Sequence, residues 1–179
     1  MKNGNPCKIA ASFPRKSIDL LFSLIEDIAY AAPCSPGSED KMLLDILDTA
    51  AQEGISGKTL GRVQTRVNIR NGSASNVGSG LEYALKNHGG TGPASKSQFT
   101  VSREKVTEIL GRKDMVATPV KKSSDSGNYI RQFDAGETIG KLPVNKGGTE
   151  TSVITVITDE AGNLVNTFPG TLGRGAQLQ

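Results

Sequence analysis

The sequence contains few of the residues that build large cores or reactive centres. Its 179 residues include no tryptophan, one histidine and two cysteines, and the aromatic fraction is 4%. Together with the 21 glycines, this composition predicts short elements joined by many turns rather than a long helical bundle. Acidic residues interrupt the apolar run from Ile18 to Ala32, so no segment is long enough to span a bilayer. We therefore predict no stable membrane insertion.

The two cysteines, Cys7 and Cys34, flank a helix predicted over residues 14–32. A disulfide between them would close a loop of about 28 residues and add roughly 3–4 kcal/mol of stability in the chain-entropy model. Two reduced thiols are the alternative, and the spacing leaves both open. The sequence has no CxxC motif and no Cys/His cluster, and its later acids lack the spacing of metal ligands. We therefore predict neither a metal site nor a cofactor site.

The positive charge is concentrated in one stretch of the chain. The formal net charge is only +3, but residues 86–149 hold eleven Lys or Arg against six acids. Such a stretch attracts polyanions, RNA among them. A solvated basic face that binds nothing would show the same excess.

The chain divides into two predicted parts, a helical entry module with a linker over residues 1–75 and a compact domain over residues 76–179. Apolar residues at helical spacing predict helices over residues 14–32 and 38–52. Residues 54–80 are rich in glycine, serine and asparagine and are interpreted as a linker. A short helix near Lys58 to Val67 is the alternative.

Helices precede strands in the second part. A helix is predicted first, because one face of it carries residues at the spacing i, i+3, i+4, i+7, namely Leu81, Ala84, Leu85 and His88. Ser102 is the predicted N-cap of a second helix. The period then changes to two, and strands are predicted over residues 116–120, 128–134, 138–142, 151–158 and 164–168. This order predicts an α+β fold, with two helices packed on a twisted antiparallel sheet.

His88 is the strongest indication of chemistry in the chain. It is the only histidine, it ends a helix, and it precedes a glycine-rich bend that carries Lys96 and Ser97. Histidine is the side chain best suited to move protons near neutral pH. A histidine near a helix end is also a common charge partner of the helix dipole, and this alternative has no catalytic consequence.

Several segments together carry a resemblance to a known family. They are His88, Lys96-Ser97-Gln98-Phe99-Thr100, Asn128-Tyr129-Ile130-Arg131, Thr151-Ser152-Val153-Ile154-Thr155-Val156, Asp159, and the final hairpin from Gly162 to Gly170. This order resembles the C-terminal toxin domains of contact-dependent growth inhibition proteins and, more broadly, the barnase, EndoU, colicin and RelE group of ribonucleases. The resemblance covers residues 80–172, and its most specific piece is Thr167-Phe168-Pro169-Gly170. EndoU-type members use two histidines, so their mechanism does not transfer to this chain.

The resemblance implies a ribonuclease-like domain that cleaves RNA, with tRNA as the expected substrate, by metal-independent transesterification. Such toxins are secreted or displayed at the cell surface as part of a larger protein and are delivered to the cytoplasm of a neighbouring bacterium. A small acidic immunity protein is the expected partner in the producing cell, and a host protein cofactor in the target cell is left open. The alternative function is a non-enzymatic binding module of a large surface adhesin.

The chemistry of RNA cleavage suggests roles for five residues. His88 at a helix C-terminus would be biased towards its protonated form, which suits a general acid or a phosphate ligand. Lys96 and Arg131 are the predicted cations for the phosphate. Thr167 and Ser97 are predicted to hydrogen-bond phosphate oxygens or to position the attacking hydroxyl. Each has an ordinary structural alternative, as a surface lysine, an outward strand residue or a common strand threonine.

Overall fold

The computed structural model describes residues 38–52, 54–70, 72–74, 78–123 and 126–172. The helix predicted over residues 14–32 and both cysteines lie outside these ranges. Within them, no helix combines the length and apolar character that a bilayer span requires.

Five α-helices are described, and three of them match helices expected from the sequence. They are α1 (Ser38–Gln52), α2 (Gly57–Thr65), α3 (Leu81–His88), α4 (Arg103–Leu110) and α5 (Lys113–Ala117). The predicted N-cap of α4 is confirmed, because the Ser102 side chain accepts a hydrogen bond from the Lys105 N–H. In the segment interpreted as a linker, α2 forms instead, and the side chain of Ser56 caps it.

The strand predicted over residues 116–120 is wrong, because helix α5 extends to Ala117 and the three residues after it form neither helix nor strand. The Asp114 carboxylate accepts a hydrogen bond from the Met115 N–H within the first turn. The Thr118 hydroxyl donates to the Asp114 carbonyl, and the Thr118 N–H donates to the Met115 carbonyl at the C-cap. Pro119 then prevents the helix from continuing. These local hydrogen bonds override the β-branched character of the segment.

The strands form two antiparallel sheets, which confirms the α+β class. The four-stranded sheet has the order β2-β3-β6-β7, with β2 (Lys121–Lys122), β3 (Tyr129–Asp134), β6 (Val153–Thr158) and β7 (Leu164–Pro169). The three-stranded sheet has the order β1-β4-β5, with β1 (Gln98–Phe99), β4 (Gly140–Lys141) and β5 (Glu150–Thr151), and a 3-10 helix spans Val144–Lys146. The strand predicted over residues 138–142 therefore belongs to a separate small sheet.

The register of the larger sheet determines which side chains enter the core. Residue pairs that are directly opposite in antiparallel strands share a face. Arg131, Val156 and Thr167 form one such row, and Val156 belongs to the main hydrophobic cluster beneath α4 and α5. The adjacent row, formed by Gln132, Thr155 and Phe168, lies on the opposite face.

Contacts cross the domain boundary that the sequence analysis placed at residue 75. A second hydrophobic cluster joins residues of α1 and α2 to Val120 and Tyr129. The buried side chain of Gln64 donates to the carbonyls of Val116 and Thr118 and accepts from the Val120 N–H. Helices α1 and α2 therefore contact residues of the predicted second part, and the boundary at residue 75 stays a prediction.

Candidate functional site

His88 is the last residue of α3, and it is held in one orientation. The side chain is 8% exposed, its Nδ1 lies 2.8 Å from the carbonyl oxygen of Ser97, and its ring centroid lies 5.4 Å from that of Phe168. A carbonyl oxygen can only accept, so Nδ1 carries the proton. The neutral ring therefore presents Nε2 as a hydrogen-bond acceptor.

Nε2 of His88 has no hydrogen-bond partner among the described residues. Within the same part of the chain, the only fully buried side-chain polar atom without a partner is Oγ1 of Thr158. Nε2 is therefore in contact with solvent. A fixed Nδ1–H and an accessible Nε2 are the arrangement that lets a histidine accept a proton from a bound hydroxyl.

The loop that joins α3 to β1 is built around the side chain of Gln98. The amide of Gln98 lies within hydrogen-bonding distance of five backbone groups in this loop, the N–H groups of Gly90 and Gly92 and the carbonyls of Asn87, Pro93 and Lys96. Gly92 is required here, because a Cβ at this position would lie 2.1 Å from the Asn87 carbonyl oxygen. The loop is therefore tightly specified, and Ser97 is held at the position that contacts His88.

Lys96 lies in this loop beside the histidine. Asn87 is the residue before His88, and its side-chain oxygen accepts a hydrogen bond from the Lys96 ammonium group at 2.6 Å. The positive charge is close enough to disfavour the protonated imidazole. The site therefore combines a neutral proton acceptor with a neighbouring cation.

Burial lowers the pKa of His88 below its ordinary value. The hydrogen bond to the Ser97 carbonyl opposes this effect, and the charge of Lys96 adds to it. The expected bias of a helix C-terminus towards protonated histidine is therefore outweighed. At neutral pH this His88 suits the role of general base better than that of general acid.

Two of the five predicted site residues lie on the core face of the sheet instead. Arg131 is 1% exposed, its Nε donates to the Thr118 carbonyl at 3.3 Å, and its Nη2 donates to the Val63 carbonyl. Burial lowers the pKa of Arg131 to about 10, so it stays charged at neutral pH. Thr167 is fully buried, and its hydroxyl donates to the Thr155 carbonyl at 2.9 Å. Both therefore hold backbone groups together, and neither is placed to reach a phosphate beside His88.

Sequence reasoning missed three residues that shape the site, Phe168, Gln98 and Asn87. Phe168 lies next to Thr167 and therefore on the opposite face of β7, where its ring packs against His88. The alternation of the strand contained this signal, because only one of two successive residues can face the histidine. Gln98 gave no signal, since a single polar residue in a loop is uninformative.

The fold and the site together define an α+β protein with one buried histidine held beside a lysine at a helix end. Among the described residues, no group of three or more His, Cys, Asp or Glu side chains could hold a metal ion. Comparison with protein-family models, with curated proteins and with solved structures finds no match to this chain.

Proposed function

We propose that the chain is a ribonuclease toxin that cleaves RNA, with tRNA as the substrate, by metal-independent transesterification. The observation that carries the proposal is the state of His88, an imidazole with a lowered pKa, a tautomer set by Ser97, and an Nε2 without a hydrogen-bond partner among the described residues. The resemblance of residues 80–172 to contact-dependent toxin domains supports the same function.

In this mechanism the 2′-oxygen of a ribose attacks the neighbouring phosphorus, and the bond to the 5′-oxygen breaks. Nε2 of His88 accepts the proton of the 2′-hydroxyl. The ammonium of Lys96 offsets the negative charge that develops on the phosphorane and can supply the proton taken up by the leaving 5′-oxygen. The products are a 2′,3′-cyclic phosphate and a 5′-hydroxyl. Ser97 acts through its backbone carbonyl, which orients His88.

The biological setting follows from the resemblance and belongs to the same proposal. The toxin is displayed on the producing cell as part of a larger protein and acts in the cytoplasm of a neighbouring bacterium. A small acidic immunity protein neutralises it in the producing cell, with electrostatic attraction to the basic domain speeding association.

The test is incubation of the purified chain with total tRNA in EDTA. We expect tRNA fragments that end in 2′,3′-cyclic phosphate, and a rate loss of about 10²–10⁴ in His88→Ala. Tyr83→Ala is the matched control, because Tyr83 is an exposed residue of the same helix. Full cleavage by a folded His88→Ala variant would exclude the assigned base. Absence of cleavage by the wild-type chain would instead favour the non-enzymatic binding module.

A further inference from the structure

The longest acid-free part of the described chain lies outside the basic stretch noted in the sequence. Residues 54–81 contain no Asp or Glu, and their cations are Lys58, Arg62, Arg66 and Arg70. These four residues recur at intervals of four, and all are exposed. We call them the basic strip. None of them takes part in an ion pair with a described residue.

Four of the eleven cations of residues 86–149 are in a different state. Arg103, Lys105 and Arg112 are paired with carboxylates, and Arg131 is buried. Pairing and burial weaken the attraction of these four for a polyanion, and the six acids of the stretch offset further positive charge. The basic strip lies in an acid-free segment and has no such partners among the described residues, so it is the stronger attractor for its length.

The segment that carries the basic strip is attached firmly to the domain. The Asn68 N–H donates to the Gly162 carbonyl, and the Leu164 N–H donates to the Asn68 carbonyl. The side chain of Asn68 also donates to that of Asn163 at 2.8 Å. Asp159 in this turn accepts hydrogen bonds from its own hairpin, so its carboxylate is already occupied. Asn68, which lies between Arg66 and Arg70, is therefore fixed beside the start of β7.

An open surface depression of about 480 Å³ lies at the end of the basic strip and is lined by Arg66, Val67, Asn68, Ile69 and Arg70. Its two arginines suit phosphate, because a guanidinium can donate two parallel hydrogen bonds to phosphate oxygens. The side chain of Asn68 is hydrogen-bonded to Asn163, so the two arginines are the polar groups available to a ligand.

We propose that the basic strip binds the phosphate backbone of the RNA substrate, away from the cleavage site. The inference rests on the proposed function. His88 contacts Phe168 near the end of β7, and the segment of the strip is hydrogen-bonded to Leu164 at the start of the same strand. Phe168 lies four residues after Leu164, so the two contacts are about 13 Å apart along the strand at 3.3 Å per residue. An RNA that reaches both the strip and His88 is bound at the strip and cleaved beside His88.

Two other partners fit the basic strip less well. A membrane surface would call for exposed apolar side chains beside the charges, but Val67 and Ile69 are half-buried against the main hydrophobic cluster. The exposed large hydrophobic residues of the described chain are Leu44, Tyr83 and Val144, which lie outside the strip. A tightly bound protein would need an apolar anchor at the centre of its interface, and the strip offers none.

The experiment measures tRNA binding by fluorescence anisotropy over a range of salt concentrations, in the non-cleaving His88→Ala background. The strip variant replaces Lys58, Arg62, Arg66 and Arg70 with Gln. The matched control replaces four exposed lysines of the other stretch with Gln, Lys86, Lys121, Lys141 and Lys146, and loses the same charge. We expect the strip variant to bind at least about tenfold more weakly, with a salt slope smaller by about three. The control variant should show less than half of this loss of affinity and of this change in salt slope.

Equal losses in both variants would show an effect of net charge alone and would overturn the proposal, as would unchanged binding by the strip variant. Binding to phosphatidylserine vesicles that depends on the strip, with tRNA binding unaffected, would overturn it as well. Restoring His88 separates this proposal from the proposed function: the strip variant should cleave with a raised KM and an unchanged kcat. If the four substitutions impair folding, Arg66→Gln with Arg70→Gln, outside the helix, gives the same test with a salt slope change of about one to two.

Discussion

Nδ1 of His88 donates its proton to the carbonyl oxygen of Ser97, nine residues later in the chain, at 2.8 Å. This bond sets the tautomer of the only histidine and leaves Nε2 as the nitrogen that can accept a proton. The histidine comes from the end of a helix and the carbonyl from the loop that returns towards β1. The chemistry of the site therefore depends on how that loop is folded.

The free energy of unfolding should depend on pH through His88. Because burial lowers its pKa in the folded chain, the unfolded chain binds more protons than the folded chain once the pH falls below about 6.5. The contribution of His88 to the free energy of unfolding is thus complete above pH ~6.5, and it is lost as the pH drops through the lowered pKa of the folded chain. Urea unfolding at pH 8 and pH 5 measures it, with His88→Asn as the non-titrating control that keeps a donor for Ser97. The wild-type chain should lose more stability than the variant, and parallel losses would contradict this.

Replacing Phe168 should move the titration of His88. The ring of Phe168 packs against the imidazole, so Phe168→Ala exposes it and raises its pKa towards the ordinary histidine value. The measurement is an NMR titration of the imidazole, which is unambiguous with one histidine in the chain. Tyr83→Ala, on the exposed side of the same helix, should leave the titration unchanged. An unaltered midpoint in Phe168→Ala would mean that other groups exclude the solvent.

Gln64→Leu should destabilise the chain by about 2–5 kcal/mol. The substitution leaves the Val116 carbonyl and the Val120 N–H without a partner, while the Thr118 carbonyl keeps Arg131, and an unsatisfied buried group costs about 1–3 kcal/mol. Chemical denaturation gives the value. Gln52→Leu is the control at an exposed helical glutamine, where a change within about 0.5 kcal/mol is expected. Similar effects at both positions would mean that Gln64 makes no special contribution.

Arg131→Met should lower stability without lowering the cleavage rate of the folded protein. The variant leaves the Val63 carbonyl without this donor, at a cost of about 1–3 kcal/mol, whereas the Thr118 carbonyl keeps the Gln64 amide as a donor. Thermal unfolding and tRNA cleavage at a temperature where the variant is folded separate the two effects. A stable Arg131→Met protein that no longer cleaves tRNA would show that Arg131 is needed for catalysis.

A fragment that begins at residue 76 should not fold stably. It lacks α2 and therefore the Val63 carbonyl that Arg131 uses, as well as the apolar partners of Val120 and Tyr129. A fragment that begins at residue 38 keeps all of these. Far-UV circular dichroism and thermal unfolding of the two fragments compare them directly. Cooperative unfolding of the shorter fragment would support the boundary predicted at residue 75.

The sequence predicted the parts of the fold in which local pattern and tertiary packing agree. Helix α3 has a regular apolar face that ends in His88, and the side chain of Ser102 caps α4 as expected. In β3, both faces mix polar and apolar residues, so alternation alone could not show that Arg131 is buried. Its burial depends on carbonyls of Val63 and Thr118, which come from distant segments. Long-range hydrogen bonds of this kind leave no trace in a local pattern.

The two-residue strand β1 illustrates the same limit in the site. Gln98 and Phe99 pair with Lys141 and Gly140, and a pairing this short has no periodicity to detect. The spacing between His88 and Lys96 suggested a common site, and the structure brings them together. Their partners Asn87 and Gln98 became visible only with the folded loop.

The network around Gln98 has a consequence for the length of the loop between α3 and β1. One side chain bonds to backbone groups spread from residue 87 to residue 96, so adding or removing a residue would displace several of them at once. Exposed positions such as Thr91 and Ser95 can change identity, but they cannot be deleted. Relatives that keep a working histidine on this scaffold should therefore vary this loop in composition and preserve its residue count.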